Sequence, residues 1–197
     1  MFIENDILVT WGGVAKKYKK GEYIFQEGEP AQFFYQIVSG RVRMFNVGSQ
    51  GKEFTHLEFM SGESFGEPAL LIDAPYPASV VAVEDTVIIK LKKESFCDLL
   101  NNYPALEKKL TYILAKRIYN KTVRAREMIN TSPEVRILAV LNGYKKRKYE
   151  IDNMIEIPYT RQEIANFTGL RVETVIRTLN KMKLNGIVKI TNRKLFY

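Results

Sequence analysis

The sequence predicts an α+β chain, because a glycine-rich region of short apolar runs is followed by a region with helical periodicity. Nine of the twelve glycines precede residue 70. Between them lie short runs of β-branched and aromatic residues, at 23–25, 33–38, 41–45 and 54–59. Further runs at 80–83 and 87–89 flank a predicted turn at 84–86. Short strands at near-regular spacing, separated by turn glycines, are typical of an all-β roll or barrel.

A long helix is predicted to follow the strands. The pattern turns helical at Lys93, and Pro104 stands where the first turn of a helix tolerates proline. No further proline or glycine occurs until Pro133, so we expect one helix over residues 104–130. Along it, small and apolar residues recur at alternating steps of four and three, which makes a heptad seam of Thr111, Ala115, Ile118, Thr122, Ala125 and Ile129.

This seam has two interpretations. It is either the face on which the helix lies against its own β-domain, or the face on which it pairs with a second copy of the chain. The opposite face carries Leu110, Leu114 and Tyr119, which we expect to pack against the roll. Because that face can pack against the roll, the seam remains available to a helix of a second chain, and a homodimer is favoured.

A third region begins at Pro133. Residues 134–141 are predicted to be helical, and Gly143 is expected to end that helix. The basic run at 145–148 is then expected in an exposed loop, where it could contact phosphates but is more often simply solvated. The predicted organisation is therefore a β-roll domain over 1–93, helices including the dimerisation helix over 94–130, and a C-terminal domain over 131–197.

The excess of positive over negative charge is confined to the C-terminal part of the chain. Residues 1–115 hold 12 Lys and Arg against 15 Asp and Glu, a net charge of −3. Residues 116–197 hold 18 against 7, a net charge of +11, so that the whole chain carries +8. This distribution indicates a phosphate-binding domain attached to a nearly neutral one, or else a solvated basic surface without a partner.

Composition also excludes several classes of protein. One cysteine and one histidine cannot provide a four-ligand zinc or iron–sulfur site, so no metal is predicted. The run Gly48–Glu53 has the wrong spacing and ending for a phosphate-binding P-loop. Without a second histidine or a metal cluster, acid–base chemistry finds no support, and we predict that the chain is not an enzyme.

The sequence gives no indication of a membrane partner. No apolar run approaches the roughly 18 residues that a spanning helix needs. The first six residues are acidic where a secretory signal would be basic. We therefore expect a cytoplasmic protein.

The strongest pattern lies in residues 160–179, which predict two short helices joined by a tight turn. Thr160 and Glu163 form a capping box that starts the first helix. Ala165 is small where two helices must cross closely, and Gly169 can take the positive φ that the turn requires. The apolar residues that lock the pair together are Ile164, Leu170, Val175 and Leu179. A helical hairpin in an arbitrary bundle is the alternative, but three coincident constraints favour a helix-turn-helix.

A helix-turn-helix places its second helix in the major groove of DNA. On the outward face of that helix we expect Arg171, Val172, Glu173 and Arg177. Arginine can donate two hydrogen bonds to guanine, and glutamate can accept one from cytosine. Arg161, at the start of the first helix, is placed for a phosphate.

A two-stranded hairpin is predicted at the end of the chain. Residues 186–190 and 194–197 read as its strands, with a turn at 191–193. Such a hairpin is the wing of a winged helix-turn-helix. Arg193 and Lys194 lie at its tip, where they could meet backbone phosphates.

These motifs together closely resemble the cyclic-AMP receptor protein/FNR (Crp/Fnr) family of bacterial transcription regulators, over nearly the whole chain. The residues that carry the resemblance are 26–29, 35–40, 62–67, 136–138, 160–165 and 173–177. The resemblance implies a cyclic-nucleotide-binding-type β-roll as sensor, a long dimerisation helix and a C-terminal winged helix-turn-helix. It also implies that Glu173 and Arg177 read bases, and it adds Thr174 to the DNA-binding residues.

The resemblance places an effector site in the roll. In nucleotide-binding members a Phe-Gly-Glu-x-x-Leu segment is followed by Arg-Ser/Thr-Ala. The first half is present at 65–70, where Glu67 would receive a ribose hydroxyl and the Gly66 and Glu67 amides would face a phosphate. In the second half Tyr76 stands in place of the phosphate-pairing arginine and Pro77 in place of the hydroxyl residue, before Ala78.

The long helix departs from the nucleotide-binding members as well. Lys121 stands where an adenine-contacting threonine is seen, although Thr122 beside it is retained. Loss of a buried arginine–phosphate pair costs roughly 1.5–3 kcal/mol or more. We therefore predict a site that is degenerate for cyclic AMP, with an unknown effector. Alternatively, Gly66 and Glu67 are turn residues kept for the fold.

The functional prediction is a dimeric regulator that binds palindromic double-stranded DNA and acts with RNA polymerase. Residues 172–174 are more similar to the FNR branch, which implies a half-site like TTGAT with Val172 on a thymine methyl group. Ile176 departs from the serine usual in that branch. The alternative is a cyclic-nucleotide-binding signalling module that does not act through DNA.

Overall fold

A computed structural model describes residues 1–129, 132–148 and 153–197. The chain forms two compact units, Met1–Lys116 and Arg117–Tyr197. The boundary between them falls within a long helix, α4, which runs from Pro104 to Ile129. The division at residues 93 and 130 that the sequence suggests stays a prediction.

The first unit contains eight strands in two antiparallel sheets. They are β1 (Val14–Tyr18), β2 (Tyr23–Phe25), β3 (Phe33–Ser39), β4 (Arg41–Val47), β5 (Glu53–Met60), β6 (Ser64–Phe65), β7 (Ser79–Ala82) and β8 (Thr86–Lys92). One sheet has the order β1-β8-β3-β6 and the other the order β2-β7-β4-β5. The predicted roll and all six of its predicted strand runs are confirmed. Strand β1 was not predicted, since its sequence Val-Ala-Lys-Lys-Tyr has little apolar character.

Strand β3 separates two apolar cores, because successive side chains of a strand point to opposite faces. Tyr35 and Ile37 contribute to the interior of the roll, together with Phe25 and Phe65. On the other face Phe34 stacks on Phe96, with ring centroids 4.2 Å apart. The second core is closed by three helices, α1 (Asn5–Thr10), α2 (Glu67–Leu71) and α3 (Lys93–Asn102), and by the start of α4.

Helix α4 packs against the roll through one face only. Leu110 is buried and Leu114 is partly buried in the second core, as predicted. Tyr119, which we expected on the same face, is 70% exposed, so that expectation is wrong. At about 100° per residue, Tyr119 lies about 70° from the mean direction of Ala115 and Ile118 but about 160° from the mean direction of Leu110 and Leu114. It is therefore on the seam side of the helix and not on the roll side.

The second unit contains three further helices and a small sheet. The helices are α5 (Pro133–Lys148), α6 (Arg161–Thr168) and α7 (Val172–Leu184), and the strands are β9 (Glu156–Ile157), β10 (Lys189–Thr191) and β11 (Lys194–Phe196). The sheet has the order β10-β11-β9, and β10 pairs with β11 as the predicted hairpin. Strand β9 was not predicted.

Helix α5 corrects one expectation from the sequence. It continues through Gly143 to Lys148, so the basic run at 145–148 is its last turn and not a loop. A helical glycine costs about 1 kcal/mol relative to alanine. Burial of Leu141 and Tyr144 on either side of Gly143 offsets that cost. Four basic residues at a helix C-terminus also interact favourably with the helix dipole.

Among the described residues, no helix is both long and apolar enough to cross a membrane.

Candidate nucleic-acid interface and the interior of the roll

The first helix of the predicted pair begins with a complete capping box. The Glu163 amide donates to the Thr160 hydroxyl at 3.1 Å, and the Thr160 amide donates to the Glu163 carboxylate at 2.7 Å. Two of the amides that a helix start leaves unpaired are thereby satisfied. Arg161 is the first residue of α6 and is partly exposed, which leaves its guanidinium available at the helix start.

The turn between α6 and α7 depends on Gly169. Its φ of 69° lies in the left-handed region, where a glycine avoids the strain of a side chain. The Thr168 hydroxyl donates to the Ile164 carbonyl at 2.7 Å and closes the last turn of α6. Ala165 is buried against the neighbouring elements, as the close helix crossing requires. The helix-turn-helix is therefore formed by the residues that predicted it.

Helix α7 turns an apolar face inward and a mixed face to solvent. Val175, Leu179 and Met182 are buried. Glu173 and Arg177 are exposed on the other side, where the sequence places its base readers. Three further residues predicted to bind DNA lie beside them. Arg171 is exposed but precedes α7 as its N-cap, and Val172 and Thr174 are partly buried.

The wing presents basic side chains at its turn. Asn192 and Arg193 have φ of 50° and 65°, so both central residues of the two-residue turn are left-handed. This is the turn geometry that matches the twist of a hairpin. Arg193 is exposed, whereas the Lys194 ammonium lies 2.9 Å from the Glu156 carboxylate across the sheet. Lys194 is therefore already paired, although its side chain stays largely in solvent.

In the roll, aromatic rings cover the turn at Gly66, where the resemblance implies that a phosphate would bind. A side-chain carbon on Gly66 would meet Tyr76 at 3.4 Å, Tyr35 at 3.5 Å and Phe25 at 3.6 Å. Tyr76 is 3% exposed and stacks on Phe25 with ring centroids 3.6 Å apart. The residue that replaces the expected arginine thus contributes its ring to the core instead of a polar group to a site.

The phenols of this aromatic cluster carry no charge at neutral pH. Burial is the main cause that raises the pKa of Tyr35 well above its usual value, and the neighbouring Tyr76 phenol raises it further. Burial also raises the pKa of Tyr76, whose hydroxyl donates to the Phe33 carbonyl at 3.4 Å. A neutral phenol cannot replace the charge or the paired hydrogen bonds that a guanidinium gives to a phosphate.

The other predicted effector residues are divided between the two units. Glu67 and Ala78 are buried in the first unit. Lys121 and Thr122 are exposed residues of α4 in the second unit, and the Thr122 hydroxyl donates to the Ile118 carbonyl at 3.1 Å. Sequence reasoning missed Phe25 and Tyr35 as parts of this region. Phe25 and Tyr35 belong to separate strands, and nothing in their local sequence indicates that they contact Gly66.

Comparisons with known proteins agree with these two halves. A family model described as a cyclic nucleotide-binding domain matches residues 15–103, and one described as a Crp-like helix-turn-helix domain matches residues 135–196. The cyclic AMP receptor protein of Thermus thermophilus is 30% identical over 173 residues, which are 88% of this chain and 78% of that protein. The chain belongs to the Crp/Fnr family. As a Crp/Fnr protein it is a DNA-binding transcription regulator.

Further relatives and solved structures are similar to this Crp/Fnr protein over most of its length. The transcriptional activator protein anr of Pseudomonas aeruginosa is 24% identical over 180 residues, 89% of this chain and 73% of that protein. The structure of FixK2 from Bradyrhizobium japonicum matches with a TM-score of 0.78 at 25% identity, covering 93% of this chain and 91% of that one. The c-di-GMP-responsive regulator CLP of Xanthomonas campestris, at 20% identity, shares the fold with a TM-score of 0.82 and 98% coverage of both chains.

Proposed function

We propose that this regulator binds palindromic DNA sites as a homodimer, reads them with the outward face of α7, and does not respond to cyclic AMP. It would act in the cytoplasm through RNA polymerase, without catalysis of its own. The observation that carries the proposal is the exposure of Glu173 and Arg177 on a helix whose opposite face is locked into a helix-turn-helix.

The contacts with DNA divide into two kinds. Glu173 and Arg177 would read a base pair containing guanine and cytosine, because they supply the matching acceptor and donor. Arg161 and Arg193 would bind phosphates, which fix the position of the protein without reading sequence. Arg171 and Thr174 flank the readers, and Lys194 is held near the wing turn by Glu156. The net charge of +11 on residues 116–197 favours such an interface.

Dimerisation would use the exposed seam of α4. Thr111, Ala115, Thr122 and Ala125 are exposed, and Ile118 is 67% exposed. Tyr112 and Tyr119 lie beside the seam and are also exposed. The side chain of Ile129 lies outside the described residues. A row of small and apolar side chains that the chain itself does not cover supports a partner helix.

The experiment that tests the proposal is selection of binding sites from random DNA. We expect a palindromic site whose half-sites are about one helical turn (~34 Å) apart, since two-fold symmetry presents two copies of α7. The expected half-site is similar to TTGAT, with a central G·C pair. Enrichment of sites without palindromic symmetry would contradict the proposal.

The dimer has its own test. Replacing Ile118 and Ala125 with glutamate places buried charges in the seam, so light scattering should report the mass of a monomer. The control is Asn120→Glu, which adds a charge to an exposed position on another face of α4 and should leave the dimer intact. An unaltered protein that is monomeric at micromolar concentration would refute the dimer.

A further inference from the structure

Two large apolar side chains, Ile176 and Leu184, are exposed on the outward face of α7. Leu184 is the last residue of the helix, whereas Ile176 lies in the N-terminal half, which is the part that contacts base edges. Ile176 is 45% exposed, immediately beside Arg177 and one turn after Glu173. With about 100° between successive residues, Ile176 lies about 60° to one side of Glu173 and Arg177 about 40° to the other. The three side chains therefore form one continuous strip, with the apolar side chain at one edge.

Stability of the fold does not account for isoleucine at this position. The inward face of α7 is made by Val175, Leu179 and Met182, which are buried, whereas almost half of Ile176 remains in solvent. A β-branched residue is also a weaker helix former than the straight-chain residues that suit an exposed position. Isolated exposed apolar residues are common on protein surfaces. Ile176 differs from them because it lies on the outward face of α7 (the reading face), beside the residues proposed to read bases.

The chemistry of the major groove offers one group that an isoleucine can recognise. Ile176 can neither donate nor accept a hydrogen bond. Among the groups that base pairs present in the major groove, the 5-methyl group of thymine is the apolar one. We propose that Ile176 is a specificity-determining residue that packs on the 5-methyl group of a thymine in the half-site. This inference rests on the proposed function, because it needs α7 in the major groove.

Val172 is the other apolar candidate in the N-terminal half of α7, and the two are distinguishable. Val172 is the first residue of α7, is partly buried and lies about 100° from Glu173, nearer the inward face. It therefore offers less surface to a base than Ile176 does. If both contact methyl groups, they contact those of different thymines, since they lie one turn apart along the helix.

The experiment removes the methyl group without changing base pairing. In the site that the protein selects, each thymine of one half-site is replaced singly by deoxyuridine, and dissociation constants are measured. At one thymine we expect the wild-type protein to bind the uracil site about fourfold more weakly, the effect of one buried methyl group. Ile176→Ala should bind thymine and uracil equally at that position, whereas Val172→Ala should keep the fourfold difference there.

The matched control is Val135→Ala. Val135 is also β-branched, is 43% exposed and lies on α5, outside the reading face. This variant should give the wild-type profile at every thymine. The inference is overturned if Ile176→Ala keeps the wild-type uracil profile, or if no thymine of a tightly bound site responds to loss of its methyl group. Failure of the wild-type protein to select any site would overturn the proposed function itself.

Discussion

The β-roll and the winged helix-turn-helix both keep the fold of the Crp/Fnr family, but they differ in what they offer to solvent. On α7, Glu173 and Arg177 are exposed while the opposite face is buried. In the roll, the segment at Gly66 and Glu67, where the resemblance predicts an effector site, is buried, and aromatic rings cover it. The fold of the family therefore accompanies exposed charged side chains in one unit and a filled core in the other.

The physical origin of the difference lies in how each site is built. The recognition helix of a helix-turn-helix requires an N-cap on the preceding helix, a tight turn between the two helices and a buried apolar face. Its functional side chains lie on the opposite face and point into solvent. A nucleotide site needs an unfilled space within a core. In this chain Tyr76 and Phe25 stack within that core, and their burial stabilises the roll. Family membership thus fixes the fold of both units and the DNA-binding role of the second, but it does not fix an effector for the first.

The largest effect that tests this comparison is expected from Tyr76→Ala. Removal of a ring that is 3% exposed leaves a cavity, so the free energy of unfolding of the roll should fall by about 3–5 kcal/mol in urea titrations. The control is Tyr23→Ala, in which a 46% exposed ring of the same roll is lost and a much smaller change is expected. A loss below about 1 kcal/mol for Tyr76→Ala would mean that its ring does not fill the core.

The second effect concerns the reading face. Arg177→Ala should weaken binding to the selected site by roughly 1–3 kcal/mol and relax selectivity at one base pair, because a paired donor to guanine is lost. Arg161→Ala is the comparison variant. It should weaken all sequences alike and reduce the salt dependence of binding, as expected of a phosphate contact.

Selection of sites with each variant measures both properties. If Arg177→Ala retains full discrimination at every base pair, the exposed face of α7 does not read DNA as proposed.

The sequence predicts the helix-turn-helix better than the roll, since its signals are local. Thr160 and Glu163 stand three residues apart and cap the same helix, and Gly169 ends it with a positive φ. Gly143 misled the prediction because burial of Leu141 and Tyr144 outweighs its low helix propensity.

Features of the roll that depend on distant segments could not be predicted. Strand β1 exists because it pairs with β8, for example Val14 with Lys90, rather than because of its own sequence. The covering of Gly66 requires Phe25, Tyr35 and Tyr76 to meet from three separate segments. The absence of an arginine at position 76 was visible in the sequence. The use of the tyrosine ring to fill the core became apparent only in the fold.

A smaller effect is expected at the wing turn. Arg193 has φ of 65°, where a glycine is favoured, so Arg193→Gly should stabilise the fold by about 0.5–1 kcal/mol. The same change should weaken DNA binding and reduce the salt dependence by about one phosphate contact for each protomer. Asn192→Gly is the control, because it changes the neighbouring left-handed residue without removing a charge. Equal salt dependence for both variants would exclude Arg193 from the phosphate contacts.

The smallest effect is expected from cyclic AMP itself. Binding would require the Tyr76 ring to leave Gly66 and its stack on Phe25, and no guanidinium at position 76 would then meet the phosphate. Calorimetric titration should therefore show no saturable heat, and cyclic AMP should change neither the unfolding temperature nor the affinity for the selected DNA site. A low-micromolar dissociation constant would contradict the filled-core interpretation. It would require the aromatic cluster to open and another cation, such as Lys121, to neutralise the phosphate.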